Sequence, residues 1–236
     1  MPVQSKPLEA DNKSAIWYLG IDLGTTGISS VLLNYAIAQR YPIYWSKELL
    51  PANSTLAAHS SGDVCFRLPT LTYSNAGSKD NLPKESCPIP LSGATFAIGS
   101  FAAKLAKTQP GLVLENVKPY LNLGIPYYCP KRYIWEPTLQ LYGQQLVSLY
   151  QIRQALEALL TTLTPQKIRL KSPVKVGAIG LDSETLERAL GQLSGVILSI
   201  PASWGDTYRF NLREAVLATK LVRYPEQIFF VEDAIA

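Results

Sequence analysis

The chain has 236 residues, 47% of them hydrophobic and 17% charged, a balance that suits a folded chain with a full core and excludes a disordered one. A net charge of +4 is mild, and Lys and Arg are spread out with no basic stripe interleaved with aromatics, so nucleic acid is not an expected partner. No apolar run approaches the roughly 20 residues of a membrane span, which argues against a membrane partner, and Cys65, Cys87 and Cys129 share no metal-type spacing, so they are expected to be packing residues in a cytoplasmic protein.

Residues 1–14 are polar, lack the apolar centre of a secretion signal and are expected to form a loose tail. The stretch Trp17-Tyr-Leu-Gly-Ile-Asp-Leu-Gly-Thr-Thr-Gly-Ile28 then ends an apolar run in a carboxylate and passes through a Gly-Thr-Thr-Gly turn. It resumes as Ile28-Ser-Ser-Val-Leu-Leu33, which reads as strand, tight turn, strand. Gly24 and Gly27 let the backbone approach a ligand closely, so that turn amides can point at one anion, and Thr25 and Thr26 add hydroxyl donors. Asp22 is placed to hold Mg²⁺ directly or through water, because a cation that keeps most of its waters needs few carboxylates. An ordinary hairpin turn favours the same residue types, so the turn by itself leaves both readings open. An aspartic protease is set aside, since Leu23 stands where its motif carries a hydroxyl.

Further along, Tyr41 to Leu49 reads as a third strand that begins after Pro42. Residues 51–136 change texture to short apolar pieces separated by Pro, Gly, Ser and Asn, the pattern of a smaller inserted subdomain. Within it Val64–Leu68 and Ala94–Ile98 are such apolar pieces and Ser100–Lys107 reads as a helix, while His59, the single histidine, lies in a polar loop as a surface residue. Tyr142, Leu146, Leu149, Ile152, Leu156, Leu159 and Leu163 then recur at helical spacing and predict one long core-facing helix. Lys167, Arg169, Lys171 and Lys175 read as the solvated side of a strand or loop. Val174–Ile179 reads as a strand, followed by a helix over Ser183–Leu193 started by Asp182 or Ser183. Gly195–Ile200 reads as a strand buried on both faces. Asp206 is the expected N-cap of a helix over Thr207–Lys220 with Leu212, Ala215 and Val216 inward, and Gln227–Val231 closes the series as a buried strand. A meander followed by strand-helix-strand units predicts an α/β fold with a mixed sheet flanked by helices.

Four motifs in this order carry a family resemblance: Gly20-Ile-Asp-Leu-Gly-Thr-Thr26, Phe96-Ala-Ile-Gly-Ser-Phe-Ala-Ala-Lys104, Val196-Ile-Leu-Ser-Ile-Pro-Ala-Ser-Trp-Gly-Asp-Thr-Tyr-Arg209 and Val231-Glu-Asp-Ala-Ile-Ala236. Residues 16–236 resemble the first lobe of the nucleotide-binding domain of DnaK-type chaperones, the heat shock protein 70 family, within the actin-like ATPase superfamily. The resemblance implies an actin-like, ribonuclease H-like core over 15–50 and 137–236, with 51–136 as an inserted smaller α+β subdomain. It implies ATP or ADP with Mg²⁺ as cofactors. Asp22 would bind the metal through water, Gly24, Thr25 and Thr26 the β- and γ-phosphates, and Lys118 would be the lysine that reaches the γ-phosphate. Glu232 resembles the glutamate that orients water and metal, and Pro201 with Arg209 the pair that passes the nucleotide state to the outer surface.

Asp233 and Ala234 depart from the family by replacing Pro and Thr, which sets a second carboxylate beside Glu232. The chain also stops where the family continues into a second lobe and a substrate-binding domain. The expectation is therefore weak nucleotide binding with little hydrolysis, and an exposed apolar face for the second lobe or a protein partner. Unfolded-protein clients or co-chaperones would be partners of a longer form. Two other readings are a non-catalytic actin-like docking module and, less favoured, a sugar kinase fragment.

Overall fold

Along the first strand Trp17, Leu19, Ile21 and Leu23 are buried, whereas Tyr18, Gly20 and Asp22 face the other way, and this two-residue alternation defines the two sides of the main sheet. The computed structural model describes residues 15–46, 64–74, 96–109, 111–122, 125–129, 134–140, 146–169 and 174–233. Strands β1 (Trp17–Leu23), β2 (Gly27–Asn34) and β3 (Gln39–Ser46) form the expected antiparallel meander. Two short strands, β4 (Val64–Cys65) and β5 (Leu68–Pro69), add to β3 and β2 respectively. Strand β6 (Leu71–Ser74) pairs with β7 (Ala97–Ile98) and β8 (Leu112–Glu115), and α1 (Gly99–Thr108) packs on this small sheet. A further three-stranded sheet joins β9 (Ile125–Cys129), β10 (Ile134–Gln140) and β11 (Leu146–Ser148).

The second half supplies helices α2 (Leu149–Leu160), α3 (Pro165–Arg169), α4 (Ser183–Gly191) and α5 (Asp206–Ala218), with strands β12 (Lys175–Ala178), β13 (Leu193–Ile200) and β14 (Ile228–Glu232). The main sheet runs β12-β3-β2-β1-β13-β14; β1, β13 and β14 are parallel and the remaining neighbours antiparallel. Leu19, Ile21, Leu32, Val196 and Leu198 from the sheet share one core with Ile152, Leu156 and Leu159 of α2 and Leu212, Ala215 and Val216 of α5. Burial of this apolar surface is the main source of stability. A buried hydrogen bond from Trp45 Nε1 to Thr162 Oγ1 at 3.0 Å ties β3 to the turn after α2. The fold is thus mixed α/β, with a mixed sheet flanked by helices, as the pattern predicts.

Several local expectations change. Pro42 lies inside β3, at the register position where β3 leaves β2 and takes up β12; its carbonyl accepts from Ile179 N–H at 2.9 Å, and a missing donor costs little at such a junction. The long helix begins at Leu149, because Ser148 and Gln151 form a reciprocal capping box and Leu146 is already paired with β10. Leu163 sits in a tight turn past the helix end. Leu193 opens β13 and does not close α4. The N-cap of α5 is Gly205, with Asp206 in the first turn, where its charge still favours the helix dipole. Lys167 and Arg169 belong to α3. Cys65 is an exposed free thiol and not a packing residue.

The largest difference concerns β13 and β14, which bury one face only. Ile197 and Ser199 are half-buried, and Phe229 and Val231 are 46% and 55% exposed. An unbroken apolar run cannot distinguish a strand covered on both faces from one with an open side. The tail 1–14, His59, Cys87, Tyr142, Lys171 and Ala234 lie outside the described residues.

Asp182 caps α4, accepting from Thr185 N–H and Oγ1 at 2.8 Å each, and these bonds hold its carboxyl below the usual aspartate value. Asp182→Ala is expected to cost about 1 kcal/mol. Because the folded pKa is depressed, the capping contribution is complete above the unfolded value of 3.8 and fades as pH falls through the lower folded value. Urea melts of the two proteins at neutral pH and in strong acid measure the difference, which should shrink in acid.

Candidate functional site

The parallel register Ile21↔Leu198 continues to set Asp22 beside Ser199, and Ser199 Oγ donates to Asp22 Oδ1 at 2.6 Å. The Asp22 carboxylate is exposed, so its other oxygen stays accessible. In the following turn Gly24 N–H donates to Gly27 carbonyl at 3.0 Å, and Thr25 and Thr26 are exposed. The turn is strapped from outside. Thr70 Oγ1 donates to the Thr25 carbonyl at 3.0 Å and Thr70 N–H to the Thr26 carbonyl at 3.3 Å, while β5 pairs Pro69 with Gly27 and Leu68 with Ile28. With their carbonyls held by the strap, the threonine hydroxyls are left facing solvent.

Lys118 comes from a distant part of the chain. Its segment is fixed by Val117 and Leu121, both fully buried, and by Asn211 Nδ2 of α5, which donates to the Leu121 carbonyl at 2.8 Å. Lys118 is itself only 7% exposed; its ammonium lies 3.3 Å from Asp233 Oδ2 and 5.9 Å from the centre of the Trp204 ring. A buried ammonium needs such partners, because desolvating an unpaired charge is far too costly. Trp204 stands edge-on to Tyr208 with ring centres 4.7 Å apart.

Tyr208 is fully buried near the start of α5, and its hydroxyl has no hydrogen-bond partner among the described residues. Burial pushes its phenol far above the ordinary tyrosine range, and the negative charges of Asp233 and Asp22 push it further. The phenol therefore stays a neutral donor that feels the charge of both carboxylates.

Glu232 pairs in register with Ile200, and its exposed carboxylate lies 3.9 Å from Arg209 Nη2, a loose surface pair. Pro201 follows directly, its carbonyl accepting from Trp204 N–H at 3.1 Å, and Asp233 N–H donates to the Ile200 carbonyl at 2.6 Å. The structure thus brings Asp22, Lys118, Ser199, Tyr208 and Asp233 together, with Glu232, Arg209 and Pro201 alongside. Asp233, which stands out in the sequence only as a departure from a family pattern, is the carboxylate that meets Lys118. Nothing in the sequence singles out Ser199 or Tyr208, since only parallel pairing and the placement of α5 bring them here.

Among the described residues no group of three His, Cys, Asp or Glu side chains forms a metal cage. One accessible carboxylate oxygen on Asp22, whose other oxygen is held by Ser199, still fits a hydrated Mg²⁺, which binds proteins through one or two carboxylates and keeps several waters. On the open side of the sheet a cavity of ≈ 370 Å³ is lined by Gly20, Asp22, Val31, Ile197, Ser199 and Val231. Among the described residues no helix is long and apolar enough to cross a membrane. No protein-family model matches the chain, and no curated protein matches it.

Asp233→Ala leaves the Lys118 ammonium without its carboxylate and is expected to cost about 1–3 kcal/mol. Adding Lys118→Met should restore part of that loss, as a double-mutant cycle by urea unfolding would register.

Proposed function

We propose that the chain is the ATP-binding lobe of a DnaK-like chaperone ATPase with an actin-like, ribonuclease H-like core. The observation that carries this reading is the convergence of residues 22, 118, 199, 208 and 233 at the carboxyl ends of β1, β13 and β14. Ligands of open α/β sheets bind at the carboxyl ends of parallel strands, and a Gly-Thr-Thr-Gly turn opens there. The domain plan, a core over 15–50 and 137–236 with a smaller inserted unit over 51–136, belongs to the same reading; strands β4 and β5 of the inserted stretch pair with the core sheet.

In this reading the turn amides and the Thr25 and Thr26 hydroxyls hold the β- and γ-phosphates, and Asp22 faces the metal through water. Bound Mg²⁺ supplies charge neutralisation between the phosphates. Lys118 places a positive charge where negative charge grows on the transferring phosphoryl group, and such electrostatic stabilisation is usually the largest contribution to catalysis. Glu232 orients water at the end of β14, and Pro201 with Arg209 relays the state of the site outward along α5. Cytoplasmic chaperone work, with clients or co-chaperones as partners, follows from the same family likeness.

A non-catalytic docking module is the second reading. The open sheet face favours it, because Tyr18, Phe229 and Val231 leave apolar surface uncovered among the described residues.

Titrating the purified chain with Mg-ATP by calorimetry separates the two. Weak binding that vanishes in Asp22→Ala is expected, with slow or undetectable hydrolysis because the described residues form one wall around the phosphates. No binding by the folded wild type would contradict the nucleotide reading and favour docking, and robust turnover would contradict the one-wall description.

A further inference from the structure

We propose that Arg67 is a phosphate-binding residue of this site, reading the β- and γ-phosphates from its place against the turn; this rests on the nucleotide reading above. The guanidinium lies directly on the Gly-Thr-Thr-Gly turn. A Cβ at Gly24 would collide with Arg67 Nη2, and one at Gly27 would stand 2.5 Å from Arg67 Cγ. The two glycines therefore do more than free the backbone, since they make the seat on which this side chain rests.

The seat is built firmly. On one side Phe66 packs edge-on against Tyr44, with ring centres 6.3 Å apart. On the other, Leu68 is buried in the core and pairs with Ile28. The Cys65 thiol donates to the Arg67 carbonyl, and Thr70 bonds the two threonine carbonyls of the turn. Among the described residues no carboxylate forms an ion pair with Arg67. The exposed Arg67 thus lies against the turn that carries the exposed Thr25 and Thr26, without a carboxylate partner among the described residues. Its planar fork suits phosphate oxygens, which it can grip through two parallel bonds, and the backbone that carries it is already anchored.

The sequence signal is weak because Arg67 lies some 40 residues from the turn it covers. Its place follows only from the pairing of β5 with β2. A purely structural Arg67 would matter for stability alone, whereas a phosphate-binding one sets affinity for the anion.

Wild type, Arg67→Ala and Arg67→Gln are to be titrated with Mg-ATP, Mg-tripolyphosphate and AMP by NMR, which reads weak binding, with thermal melts in parallel. Arg67→Gln keeps a stem against Gly27 and guards against a variant that fails to fold. The expected result is a loss of roughly tenfold or more for Mg-ATP and Mg-tripolyphosphate, with AMP unchanged. Arg67→Lys should recover only part of the affinity, since a point charge lacks the fork. Folded Arg67 variants that bind both polyphosphates as tightly as wild type would overturn this role and leave the nucleotide reading intact. Wild type that binds neither polyphosphate would overturn the nucleotide reading and this inference with it.

Discussion

The parallel register of β1, β13 and β14 is the constraint on which the rest of the site depends. Pairing of Ile21 with Leu198, and of Ser199 with Val231, sends Asp22, Ser199 and the residues after Ile200 out at one end of the sheet. Side chains alternate across a strand, so slipping β1 by one residue would turn Asp22 into the core and expose Ile21 and Leu19. That penalty fixes the register strongly. The hydrophobic pattern of β1 therefore holds the stability of the sheet and the position of its terminal carboxylate together.

A buried cation, Lys118, offsets part of the negative charge at the carboxyl ends. Lys118 is carried by a segment anchored on α5 through Asn211, and its ammonium meets Asp233 and faces the Trp204 ring. Desolvation of an ammonium is offset by a close carboxylate, and an aromatic ring face nearby adds to the attraction. Tyr208 completes the arrangement with a buried hydroxyl that has no hydrogen-bond partner among the described residues. Buried donors are almost always paired, so this orphan marks a place where water or a ligand oxygen belongs. The open face of β13 and β14, by contrast, leaves Phe229 and Val231 partly exposed.

Much of this was legible in the sequence, and the reasons for the rest are physical. An apolar run interrupted by a Gly-Thr-Thr-Gly turn exposed β1 and β2, the Asp182 cap marked the start of α4, and the spacing of Leu212, Ala215 and Val216 gave the inward face of α5. The Ser148 cap was hidden by an apolar stripe that continues back into β11. Glycine and threonine at the end of an apolar strand pointed to the turn, and Asp22 with it. Pairing partners far along the chain were out of reach, because nothing local to Ser199 or Arg67 encodes which strand lies beside it. Tyr208 read as one more helix residue, since its neighbours Leu212 and Ala215 explain a buried face without it. The open side of β13 escaped for a related reason: Ile197 is apolar whether or not anything covers it.

The most direct measurement is the paramagnetic effect of Mn²⁺-ATP on the backbone amide spectrum, with the diamagnetic Mg²⁺ complex as reference. A phosphate site at the carboxyl ends of the parallel strands predicts broadening centred on the amides of Leu23 to Ile28 and of Ser199, spreading to Lys118 and Asp233. Broadening confined to other surfaces, or none at ligand concentrations well above those that load weak nucleotide sites, would contradict it.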